Sequence, residues 1–222
     1  MHTHLFFDLD GTITDSRPGI IRAAQYALRH FGINARDEDL LPFIGPPLLY
    51  SFQQYCGMDA GQAREAVAVY REYYREQGIF ECTVYAGVAE LLQAAHAAGR
   101  VICLATSKPE VFARRIVEHF DLARYFDFIG GATLQGDRDS KEAVLAHACA
   151  ALGRTNMTGC LLVGDRVYDV QGAEALGMDC AGVLYGYGAP EEFLSPAVVR
   201  VCRTVAELHE FLLPEQPAAV PV

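Results

Sequence analysis

Apolar residues recur along this chain in two different rhythms. Between residues 16 and 31 they fall at Ile20, Ala23, Ala24, Ala27, Leu28 and Phe31, with Pro18 near the start and Gly32 just past the end. Spacing of three and four residues between a proline and a glycine predicts an amphipathic helix. Residues 59–77 repeat the pattern with Ala63, Ala66, Val67, Tyr70, Tyr73 and Tyr74 ahead of Gly78. Between the two helices lies FIGPPLLYSF, which turns on the corner Gly45-Pro46-Pro47. No stretch from about residue 16 to 82 alternates like a strand, so this region is expected to be a helical unit.

From Gly87 onward the rhythm changes to short apolar runs separated by helical patterns. Strands are predicted at 101–105, 126–129, 160–163 and 180–184, and helices at 88–98, 110–120, 141–152 and 170–176. Such alternation implies a mostly parallel sheet covered by helices on both faces, a doubly wound α/β architecture. Leu5-Phe6-Phe7 reads as a further buried strand, so the helical unit interrupts the α/β domain after its first strand. The division predicted is 1–15 and 83–213 for the α/β core, 16–82 for the helical insertion and 214–222 for a flexible Pro- and Ala-rich tail.

Composition narrows the partners. The 222 residues carry a formal charge of −10, which disfavours a nucleic-acid backbone or an anionic membrane as partner. No run of about 18 apolar residues occurs, and the start lacks the basic-then-apolar layout of a signal peptide, so a cytoplasmic protein is expected. Seven scattered cysteines without a Cys-x-x-Cys pair read as reduced core residues. The number of subunits is left open between monomer and homodimer.

Ligands of open α/β sheets bind beyond the carboxyl ends of the strands, and here those ends are chemically rich. The first strand runs into Asp8-Leu9-Asp10-Gly11-Thr12, the second into Thr106-Ser107-Lys108, and a later one into Asp165 with Asp169 four residues on. The loop QGDRDSKEAVL adds Lys141 at a predicted helix start. One aspartate before glycine is ordinary turn chemistry, but the second, Asp8, is not explained by a turn. Two carboxylates at close range need a cation, or a shared proton, to coexist. Oxygen ligands suit a hard divalent cation such as Mg²⁺, while lysines and hydroxyls suit a phosphate. Asp8 and Asp10 lie on opposite faces of an extended chain, so a turn at Leu9 is expected to bring them together. Two blander readings stay open: Asp169 as a cap for the helix near Val170, and Lys108 as a solvated residue before Pro109.

DLDGT, LATSKP, SKEAV and VGDRVYDV, in this order over residues 8–169, resemble the four motifs of haloacid dehalogenase superfamily phosphatases. The resemblance implies a Rossmann-like core with a small helical cap, and an aspartyl-phosphate formed on Asp8. It further implies that Asp10 protonates the leaving oxygen and then activates water, and that Thr106 and Lys141 hold the phosphoryl group, with Ser107 and Lys108 beside them. Mg²⁺ would be held by Asp8, the Asp10 carbonyl and Asp165, with Asp169 orienting its water. ALRHFGI, FIGPPL, ATSKPEVFARRI and VLYGYG are most similar to the phosphoglycolate phosphatase group and its 5'-nucleotidase-like relatives.

A small phosphomonoester is thus the expected substrate, phosphoglycolate first among candidates. A 5'-nucleotide, a sugar phosphate, a phosphohexose mutase reaction and a non-catalytic phosphate-binding role remain as alternatives. Substrate choice is expected at Ile44, Gly45 and Pro46, since a core that recognises only phosphate and metal cannot discriminate among esters. A plain helix–helix turn is the competing reading of that corner.

Overall fold

The computed structural model describes residues 2–214. Expectations for the tail at 214–222 therefore lie outside the described residues, except at Pro214. The order of elements is β1 (His4–Phe7), β2 (Thr14–Asp15), α1 (Arg17–His30), α2 (Leu48–Cys56), α3 (Ala60–Glu76), β3 (Thr83–Val84), α4 (Val88–Ala97), β4 (Val101–Pro109) and α5 (Glu110–His119). There follow β5 (Phe128–Ala132), α6 (Lys141–Ala151), β6 (Cys160–Gly164), α7 (Val167–Leu176), β7 (Asp179–Val183), β8 (Val198–Cys202) and α8 (Val205–Leu212).

Six strands form one parallel sheet in the order β5-β4-β1-β6-β7-β8. The central strands carry continuous apolar runs because both faces are covered. Leu5 and Phe7 of β1, Ile102 and Leu104 of β4, and Leu161 and Val163 of β6 join one core with α4, α5 and α8. Phe6, Cys103 and Leu162 point the other way, into a second core with α6 and α7. The seven cysteines are free, and all but Cys56 are buried.

Helices α1, α2 and α3 fill the interval between β2 and β3. The chain leaves the sheet through β2 and returns through β3, and these two short strands pair antiparallel. Capping explains the long helix: the Asp59 carboxylate accepts from the Gly61 and Gln62 amides at 2.7 and 2.9 Å, and Gln62 Oε1 accepts from the Asp59 amide at 3.1 Å. Its buried face is Ala63, Ala66, Val69, Tyr70 and Tyr74.

The structure departs from the sequence pattern in several places, among them the unpredicted β2 and β3 and the extension of β4 from the expected 105 to Pro109. Helix α2 starts directly after Pro47, where the Gly-Pro-Pro corner masks a helix of two turns. Strand β8 is an edge strand whose Val199 and Arg200 face solvent, so it shows no continuous apolar run. Helix α8, started by the Thr204 hydroxyl accepting from the Glu207 amide at 3.1 Å, follows it. Strand β5 begins two residues later than expected and continues through Gly130 and Gly131. Helix α7 begins at Val167 rather than near Val170, which places Asp169 inside its first turn.

Candidate active site

The site is built at the carboxyl edge of β1. Its ladder runs one residue past the strand, the Asp8 amide donating to the Val163 carbonyl at 2.9 Å. The chain then turns on Leu9, as its spacing predicts: the Leu9 carbonyl accepts from the amides of Thr12, Ile13 and Thr14 at 3.3, 2.9 and 2.9 Å. Gly11 completes the turn at φ +84°, and a Cβ there would lie 2.1 Å from Asp165 Oδ2. Gly11→Ala is therefore expected to destabilise the fold by at least about 2 kcal/mol, read from its denaturant midpoint, because strain and overlap act together.

Two lysines enter, Lys108 from the end of β4 and Lys141 from the start of α6. Lys141 opens α6, where the Ser140 hydroxyl accepts from the Ala143 amide at 3.1 Å and fixes the helix start. Its Nζ lies 2.9 Å from Asp8 Oδ1 and 2.8 Å from Asp169 Oδ1, and donates to the Ala105 carbonyl at 3.0 Å. Burial alone would lower the pKa of this ammonium, but Asp169 and Asp8 outweigh it and hold the group charged. Lys108 is buried rather than solvated: its Nζ lies 2.9 Å from Asp10 Oδ1 and donates to the Tyr74 hydroxyl of α3. The Lys108 amide donates to Thr106 Oγ1 at 3.2 Å, fixing that buried hydroxyl.

Asp165 closes the group from below. It is fully buried, accepting from Thr12 Oγ1 at 3.3 Å and from the Tyr187 amide at 2.8 Å. Carboxylate oxygens of Asp8, Asp165 and Asp169 lie within 4.8 Å of one another. Burial first, then Asp169 and Asp8, push the Asp165 carboxyl well above the usual range. An all-oxygen cluster with this excess of buried negative charge fits a hard divalent cation. Asp10 stands apart from the cluster by its side chain, which turns to Lys108. Asp169 Oδ2 also accepts from the Arg166 amide at 3.0 Å, so it serves the helix start as well as facing Lys141.

These groups open into a cavity of about 630 Å³ between the sheet edge and the helical insertion. Asp8, Asp10, Thr106, Ser107, Lys108, Lys141, Asp169, Gly45 and Pro46 line it. Asp165 lies beneath the lining, and Ile44 does not reach the cavity, its side chain being only 2% exposed within the core. What Ile44 offers is its carbonyl, which accepts from Arg166 Nη1 at 2.7 Å.

Three further residues belong to the arrangement. Arg166, whose Nε pairs with Glu192 at 3.1 Å, ties the loop after β6 to the Gly45 corner. The Tyr187 hydroxyl donates to Asp15 at 2.8 Å and accepts from the Ser16 and Arg17 amides at 2.8 and 3.1 Å, bracing the exit into α1. Tyr74 reaches Lys108 from the insertion. Arg166 carries a sequence signal in lying inside VGDRVYDV, whereas Tyr74 is indistinguishable by spacing from a packing residue.

Residues 5–183 match the haloacid dehalogenase-like hydrolase family. The chain is 42% identical to a 5'-nucleotidase of Pseudomonas aeruginosa over 95% of this chain and 96% of that protein. It is 40% identical to the tyrosine-protein kinase PtkA of Mycobacterium tuberculosis, covering 94% of this chain and 72% of that one. A phosphoglycolate phosphatase of Photobacterium profundum is 31% identical over 87% and 89% of the two chains. The solved structure of a predicted phosphatase from Clostridium acetobutylicum superposes with a TM-score of 0.91 at 39% identity, covering 96% of this chain and 99% of that one. The sheet order, the motif residues gathered at its carboxyl edge and these likenesses agree: the chain belongs to the haloacid dehalogenase-like hydrolases.

Proposed function

We propose that this hydrolase is a Mg²⁺-dependent phosphomonoesterase working through an aspartyl-phosphate on Asp8, with a nucleoside 5'-monophosphate as its leading substrate. The observation that carries the reading is the pairing of two carboxylates with two separate ammonium groups in one cavity, Asp8 with Lys141 and Asp10 with Lys108. Asp8 is the nucleophile: its carboxylate sits at the cavity floor, held by Lys141. The Thr106 and Ser107 hydroxyls and Lys141 hold the phosphoryl oxygens, and Lys141 balances the charge that develops on them. Asp10 protonates the leaving oxygen and then takes a proton from the attacking water, while Lys108 keeps its carboxyl aimed. Mg²⁺, held by Asp8, Asp165 and the Asp10 carbonyl with Asp169 behind, would neutralise phosphate charge as the ester bond breaks.

Cavity size and lining support a leaving group larger than glycolate. A volume of about 630 Å³ walled by Phe43, Tyr70, Tyr74, Phe112 and Tyr168 matches a flat, partly apolar group. The likeness to a 5'-nucleotidase over nearly the whole chain points the same way. Phosphoglycolate is the second reading, favoured by the likeness to a phosphatase of that name.

Release of inorganic phosphate from a panel of nucleotides, phosphoglycolate and sugar phosphates tests this directly. The highest kcat/KM is expected on a nucleotide, at least about tenfold above phosphoglycolate, because the wall contacts only a group that fills it. No release from any ester in the presence of Mg²⁺ would remove the phosphatase reading, and transfer to a sugar hydroxyl without release would turn it into a mutase.

A further inference from the structure

Every buried cation at the cavity floor has a carboxylate partner: Lys141 has Asp8 and Asp169, and Lys108 has Asp10. Arg166 has Glu192. Besides the exposed Arg64, which also lines the cavity with no ion pair among the described residues, the exception is Arg71. Its guanidinium lines the cavity half-buried, and among the described residues it makes no ion pair. One of its N–H groups donates to the Leu134 carbonyl at 3.2 Å. Burial, then Arg75, lower its pKa. Asp139, in the same loop as Leu134, is exposed and makes no ion pair with it.

Position gives Arg71 its meaning. It lies one turn before Tyr74 on the same face of α3, about 4.5 Å along the axis from the hydroxyl-bearing residue that meets Lys108. Tyr70 and Tyr74 stack beside it at 5.4 Å and 17°. A leaving group lying against this face of α3 has both flat aromatic surface and a guanidinium within the cavity wall. That guanidinium can only donate hydrogen bonds.

We propose that Arg71 is a specificity-determining residue that reads a carbonyl oxygen on the edge of a nucleobase, favouring oxo-substituted bases over amino-substituted ones. This rests on the phosphomonoesterase reading above and adds the chemistry of the leaving group. An oxo group accepts from Arg71, whereas an amino group at the same position is a second donor and leaves both unpaired in a partly dry wall.

Two matched pairs of substrates test the point, since UMP and CMP, and likewise IMP and AMP, exchange an oxo for an amino group at one ring carbon, the neighbouring ring nitrogen changing from N–H donor to acceptor with it. The wild-type enzyme is expected to favour the oxo member of each pair by about 10- to 100-fold in kcat/KM, the size of one charge-assisted hydrogen bond. Arg71→Met should bring both ratios to within about twofold of one, chiefly by losing rate on UMP and IMP, and Arg71→Lys should leave an intermediate ratio. Wild-type ratios near one, or ratios untouched by Arg71→Met, would overturn the proposal, the first needing no variant to fold. Hydrolysis of phenyl phosphate, which has no such acceptor, separates the two levels of the argument. If wild-type enzyme cleaves it but no nucleotide, the assignment of Arg71 fails and the phosphatase reading stands. If it cleaves neither, the phosphatase reading itself fails. Phosphoglycolate turned over faster than every nucleotide, and lost in Arg71→Met, would give Arg71 a carboxylate and overturn the nucleobase.

Discussion

Asp8→Asn is expected to reduce phosphate release by at least about 10⁴-fold while leaving the protein folded, the usual size of effect for a lost nucleophile. The amide keeps the shape but is a poor nucleophile. The structure says why folding should survive: Lys141 retains Asp169 at 2.8 Å and the Ala105 carbonyl at 3.0 Å, so the ammonium is not left unpaired. Removing one negative charge from the group that already pushes Asp165 upward should, if anything, stabilise the metal-free protein. Steady-state rates alongside thermal melts check both halves. A variant with near-normal rate would take the nucleophile away from Asp8. A variant that melts far below the wild type would mean that loss of activity reports on folding alone.

The second large effect is on the metal. Rigorous chelation should silence hydrolysis, and Mg²⁺ should restore it and raise the melting temperature. At a hundred times its dissociation constant a ligand adds about 2.7 kcal/mol, which for a chain of 222 residues is roughly 5–10 °C. The physical source is the buried cluster of Asp8, Asp165 and Asp169, whose oxygens crowd within 4.8 Å. Asp165→Asn should therefore melt higher than wild type without metal and gain much less from Mg²⁺. Activity unchanged after chelation, or a melting temperature indifferent to Mg²⁺ in the wild type, would contradict the metal assignment.

The core strands are legible from sequence because a parallel strand buried on both faces is a continuous apolar run, as Leu5-Phe6-Phe7 and Cys160-Leu161-Leu162-Val163 are. Strand β8 escapes the same reading because an edge strand buries half of itself, leaving Val199 and Arg200 outside. Polar residues at strand exits are legible as chemistry, and the fold brings Asp8, Asp10, Thr106, Lys108, Lys141 and Asp169 into one cavity. The helical side of the cavity is much less so. Tyr74 and Arg71 sit on the apolar stripe of α3 and on its margin, where helical periodicity alone describes them as packing and solvation. Only the meeting of α3 with the end of β4 shows that Tyr74 touches Lys108 and that Arg71 faces a cavity. Ile44 shows the converse, since the backbone of the Gly-Pro-Pro corner engages Arg166 while the side chain stays in the core.

The proposed mechanism passes through a covalent bond between Asp8 and phosphorus, and that bond can be trapped. Acid quenching during turnover of a nucleotide with Mg²⁺, followed by borohydride reduction, converts an acyl phosphate to the corresponding alcohol, so a phosphorylated aspartate becomes homoserine. Peptide mass spectrometry should find homoserine at position 8, dependent on substrate, and none at Asp10, Asp165 or Asp169. Turnover under the same conditions with Asp8 unmodified, or with the label on another carboxylate, would contradict the mechanism proposed for this site.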